Sequence, residues 1–154
     1  MPLFGNKKKD QKSTLPPLIQ TPTGGEAIVF DNEEQAAIDI HLGGIAEGLT
    51  DTAFPSDTAT GIEEGIGATA LLEVAQRRMD SGDLRGAASA AVKAIGLAAY
   101  MPHTWLMLAE AEARYGDYRA ARSFLSKADQ AARSIGLKDS YWRSRSDVVR
   151  GMIR

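Results

Sequence analysis

The chain has 154 residues, no cysteine and a formal net charge of −2. That length allows one modest hydrophobic core, and the missing thiols exclude a disulfide framework or a thiolate metal site. No apolar run approaches the roughly 20 residues of a membrane span. The start, Met1-Pro2-Leu3-Phe4-Gly5, runs into Lys7, Lys8 and Lys9 without the apolar stretch of a secretory signal, so a cytoplasmic protein is expected.

The small net charge hides a segregation. Residues 1–12 carry +3, and residues 13–76 hold eleven acids with no lysine or arginine. Residues 77–154 carry +6. Two readings follow: the acidic half docks on the basic half, or each half meets a separate partner. Docking is favoured, because two segments of one chain share a high effective concentration.

In chain order, residues 1–25 are rich in Lys, Pro and Thr and read as a disordered basic tail. Residues 26–67 form an acidic segment. It opens on an extended, strand-like piece at 26–30. Asp31 followed by Glu34 has the spacing of a capping box and predicts a helix over 32–49. Ile38, Leu42, Ile45 and Leu49 share one face of that helix and form a secondary interaction segment. Gly43-Gly44 weakens it by about 1 kcal/mol per glycine, so packing is needed to hold it. Residues 50–67, with Pro55, Gly61, Gly65 and Gly67, read as a linker with at most one turn of helix.

Residues 68–154 contain a repeat. Gly82-Asp83-Leu84-Arg85-Gly86-Ala87 returns as Gly116-Asp117-Tyr118-Arg119-Ala120-Ala121 after 34 residues. The same offset matches Leu72 with Leu106, Ala75 with Ala109, Lys93 with Lys127 and Ala94 with Ala128. Glycine can take the left-handed conformation that ends one helix, and aspartate can cap the amides that open the next. A last helix, about Asp139 to Met152, carries Trp142, Val149 and Ile153 as an apolar stripe that caps the stack.

At these residues the chain resembles the tetratricopeptide repeat family. The 34-residue period, the small residues Ala75, Ala87, Ala94 and their partners Ala109, Ala121, Ala128, and the early Trp105 carry the resemblance. Arg78 and Glu112 depart from it, standing where the family usually has tyrosine, and Ala99 and Arg133 stand where a proline usually closes the unit. The resemblance implies an all-α fold, a short helix-turn-helix solenoid of about two repeats plus a capping helix. It also implies a groove lined by Leu72, Gln76 and Met79 from one copy and Leu106, Glu110 and Ala113 from the next. The basic-asparagine pattern with which some relatives clamp a peptide carboxylate is absent, and Glu110 would repel such a group. Leu72 and Leu106 are open to a second reading as partial core.

The sequence offers little to catalysis. His41 and His103 lie in different segments, and Glu33-Glu34 and Glu63-Glu64 are sequence neighbours that diverge around a helix. No metal-ligand spacing occurs and no cofactor is implied. The expected function is a non-catalytic adaptor or assembly subunit that binds an apolar helix or peptide of a protein partner, with self-association as a further option. The alternatives are a peripheral tether whose Lys7, Lys8 and Lys9 touch anionic membrane or nucleic acid, and a self-masked regulatory subunit. Arg143, Arg145, Arg150 and Arg154 on the last helix read as a solvated cap rather than a nucleic-acid site.

Overall fold

The structure, a computed structural model, describes residues 16–19, 28–49 and 56–154, with the side chains of 44–49 and 56–62 excepted. The described residues contain six α-helices and no strand: α1 (Asn32–Leu49), α2 (Ser56–Asp80), α3 (Leu84–Ala98), α4 (Pro102–Tyr115), α5 (Tyr118–Ser134) and α6 (Ser140–Met152). Each packs on its neighbour in chain order, and α4 also touches α2 and α6. The chain is therefore all-α among the described residues. No helix there is long and apolar enough to cross a membrane.

The two copies of the repeated phrase build the same turn. Gly82 and Gly116 adopt φ of +86° and +101°, the left-handed conformation that a side chain would strain. The next amide then reaches back: Asp83 N–H donates to the Arg78 carbonyl at 2.8 Å and Asp117 N–H to the Glu112 carbonyl at 3.0 Å. Each aspartate carboxylate in turn accepts from an amide of the next helix, Asp83 from Gly86 and Asp117 from Ala120. Ala87, Ala94, Ala121 and Ala128 are fully buried, so the small residues stand where helices meet closely.

Three expectations are corrected. The stretch read as a linker, 50–67, is helical from Ser56 onward. Its glycines are contact points rather than breaks: a Cβ on Gly67 would meet Leu97 at 3.0 Å, and one on Gly65 would meet the Tyr100 hydroxyl at 3.2 Å. Residues 28–30 form no strand; residues 26 and 27 lie outside the described residues. Within the tail expected to be disordered, Leu18 is buried, only 5% exposed, and Ile19 half-buried, while Pro16 and Pro17 are exposed; the rest of residues 1–25 lies outside the described residues.

Helix α1 docks on the rest of the chain. Its capping box forms in both directions, Asp31 N–H to Glu34 and Glu34 N–H to Asp31, each at 2.9 Å. Ala37 and Ile38 enter a core of Leu71, Val74, Ala75, Ala90 and Ala94 from α2 and α3, with Leu42 packed at its edge. Ile45 and Leu49 lie outside the described residues as side chains. The fully buried Glu34 carboxylate meets Arg78 Nη1 at 2.9 Å and Lys93 Nζ at 2.6 Å. Arg78 also holds Asp31 at 2.7 Å and Glu33 at 3.0 Å, and donates to the Gly86 carbonyl. Burial works to raise the Asp31 carboxyl, but the Glu34 amide and the Arg78 guanidinium outweigh it and hold it below the usual range.

A fully buried carboxylate is tolerable only while its cations remain. Removing Arg78 as Arg78→Met should cost up to the roughly 3–5 kcal/mol of a broken buried pair, less what Lys93 retains. Glu33→Gln, which loses an exposed pair, should cost about 1 kcal/mol or less. Urea unfolding of the two variants checks this, and equal losses would mean that the buried cluster carries no special weight.

Candidate functional site

A cleft of about 380 Å³ opens where α2, α4 and α6 come together. Its walls are Leu72 and Gln76 from α2, Met101, Leu106 and Met107 at and along α4, and Tyr141 and Arg145 from α6. Among the described residues, α1 contributes none to its lining. The floor is electrostatically closed. Glu110, 2% exposed, meets Arg145 at 3.1 Å and Arg114 at 3.1 Å, although the Arg114 approach lacks hydrogen-bond geometry at Glu110 Oε2. Arg145 also donates to Gln76 at 3.3 Å, tying α6 to α2 across the cleft. The repulsion expected from Glu110 is therefore offset by two arginines.

One end of the cleft is aromatic. His103, in the first turn of α4, lies 5.8 Å from Tyr141 and makes an edge contact with Trp142 at 5.3 Å. Burial lowers its pKa; Asp139 opposes that shift and Arg145 adds to it, so the ring is neutral near pH 7. Tyr141 remains 65% exposed, and Val148, one turn beyond Arg145, is 49% exposed. Both present exposed apolar surface on the same helix.

Of the six residues that the resemblance assigned to the groove, Leu72, Gln76 and Leu106 line the cleft. Glu110 lies beneath it. Met79, in a cluster with Ala87, Ala91 and Leu108, and Ala113 are buried away from the lining, and Leu106, although it lines the cleft, is itself 4% exposed and part of the core with Ala109, Leu125 and Trp142. The helix period explains the miss: Met79 lies three and seven residues beyond Gln76 and Leu72, but the buried side of α2 is wide enough to take it in. Sequence reasoning passed over Met101, His103, Tyr141 and Arg145. The available signal was Tyr141 and Arg145 at i, i+4 on a helix read only as a cap.

His41 meets Glu73 at 3.2 Å, beside a shallow pocket lined by Glu33, Ala36, Ile40 and Arg77. Thr69, at the cleft, donates its hydroxyl to the Gly65 carbonyl. Among the described residues no group of three His, Asp or Glu could hold a metal ion.

Glu112, on α4 below the cleft, is 2% exposed and its Oε2 has no hydrogen-bond partner. Burial first, and Asp117 second, push its carboxyl from 4.5 up to about 7. A folded-state carboxyl pKa above the unfolded one means that the folded chain binds the extra proton, so stability falls as pH rises from about 4.5 to 7. Glu112→Gln should therefore stabilise the chain by on the order of 3 kcal/mol at pH 8 and by under about 1 kcal/mol at pH 5. Urea melts at both pH values measure the difference, and an equal gain at both would exclude charge burial as its cause.

No family model matches this chain, and no curated protein and no solved structure is similar to it.

Proposed function

We propose that the chain is a non-catalytic adaptor or assembly subunit, built as two tetratricopeptide-like repeats with a capping helix, that holds an apolar helix or peptide of a partner protein in the cleft between α2, α4 and α6. The observation that carries the reading is the cleft itself. Leu72, Met101, Leu106 and Met107 give it apolar walls, Tyr141 and Val148 extend those walls as exposed surface, and Arg145 gives a polar edge. Such a surface has the anatomy of a binding groove, an apolar centre with a few polar groups to set register. The 34-residue period and the repeated glycine–aspartate turn support the repeat assignment.

The tether reading rests on Lys7, Lys8 and Lys9, which lie outside the described residues. The self-masked reading, in which the acidic segment blocks the groove, finds no described α1 side chain in the cleft's lining, although His41 of α1 meets the lining residue Glu73 at 3.2 Å.

Affinity capture with the tagged full chain, followed by mass spectrometry, tests the proposal. A protein should be recovered stoichiometrically. Because a central apolar contact is worth about 2 kcal/mol or more, Leu72→Glu and Tyr141→Glu should each reduce recovery about thirtyfold with helicity unchanged. Equal recovery by wild type and both variants would remove the cleft from the account. Recovery of lipid or RNA alone would transfer support to the tether.

A further inference from the structure

A second peptide site lies outside the cleft, and the chain itself shows what it takes. Pro16–Ile19 runs over α3 as a short strap. Leu18 is 5% exposed and joins the buried cluster of Met79, Ala87, Ala88, Ala91, Leu108 and Ala111, side chains from α2, α3 and α4. Two backbone carbonyls anchor it. The Tyr115 hydroxyl donates to the Pro16 carbonyl at 2.6 Å, and the Arg85 guanidinium donates to the Pro17 carbonyl at 3.4 Å. This is recognition of an extended segment: main-chain acceptors fix its path, and a single apolar side chain fills a pocket. Adjacent prolines hold such a segment extended before it binds, which lowers the ordering cost.

The strap fits imperfectly. Among the described residues a cleft of about 290 Å³ remains beside Leu18 and Ile19, lined by Arg85, Ser89, Val92 and Lys93. Lys93 is committed to Glu34 at 2.6 Å, whereas among the described residues Arg85 makes only the long contact to Pro17. The site therefore has room for a larger side chain where Ile19 lies.

We propose that this pocket binds an extended Pro-Pro-Leu peptide of a partner protein, with a bulky apolar residue after the leucine, and that Pro16–Ile19 is its built-in competitor. The proposal is independent of the cleft, because the two sites share no lining residue. The strap withholds the pocket from weak ligands, and a better-fitting peptide displaces it.

The test uses the full chain, in wild-type form and as Leu18→Ser, with a fluorescein-labelled peptide of residues 13–22 as probe in anisotropy titrations. The probe should bind Leu18→Ser saturably and bind wild type at least about tenfold more weakly, because the tethered strap competes at high effective concentration. A probe carrying Ile19→Trp should bind about fivefold tighter than the plain probe, since it covers more apolar surface. A Leu18→Glu probe should not bind. If Leu18→Ser loses helicity, the wild-type chain is titrated with millimolar peptide by NMR, and amide shifts confined to Ala88, Ala91, Tyr115 and their neighbours support the site. Absence of saturable binding, or equal binding of the Leu18→Glu probe, overturns the proposal. A concentration-dependent dimer that Leu18→Ser abolishes also overturns it, by giving the pocket to the strap of a second copy.

Discussion

One carboxylate fastens the N-terminal helix to the rest of the chain. Glu34 is fully buried, caps its own helix through the Asp31 amide, and is held between Arg78 of α2 and Lys93 of α3. Charge in the interior is costly unless every lone pair is met, so this arrangement admits one seating of α1. The apolar contacts of Ala37 and Ile38 supply attraction with little direction, and the ion cluster supplies the direction. The acidic N-terminal half and the basic C-terminal half thus meet through a desolvated contact. The exposed pairs that flank it, from Asp31 and Glu33, add orientation more than energy.

The repeat is reused with different chemistry at matched positions. Lys93 clamps Glu34, while Lys127, 34 residues on, lies over the Trp105 ring at 4.9 Å. Arg78 is the hub of the α1 contact, and its counterpart Glu112 is a buried carboxylate that no cation meets among the described residues. These last two are among the positions at which the chain departs from the repeat pattern it resembles. Sites where local rules fail are where a fold places specific demands, here a docking contact in one copy and a pH-sensitive buried acid in the other.

Much of the helical framework was legible because it is written in local terms. Gly82-Asp83 and Gly116-Asp117 announce turns by backbone conformation and capping, and Asp31 with Glu34 announces a helix start. The last helix begins after Asp139, whose carboxylate accepts from the Trp142 amide at 2.7 Å. What escaped reading depends on contacts distant in sequence. Gly65 and Gly67 look like breakers until Tyr100 and Leu97 occupy the space beside them. Leu18 looks like part of a free tail until the α2–α3–α4 junction receives it. The cleft was half legible: α2 and α4 supplied Leu72, Gln76 and Leu106, but Tyr141 and Arg145 enter only once α6 is packed against α4.

Hydrogen exchange across the full chain tests the central claim most directly. If the Glu34 cluster locks α1 in place, amides from 36 to 42 exchange in wild type only through rare opening, at rates comparable with those of α2. In Arg78→Met those amides then exchange much faster, while α4, α5 and α6 keep their protection. Fast exchange from 36 to 42 in the wild-type chain, or slow exchange there that Arg78→Met leaves unchanged, would contradict the account.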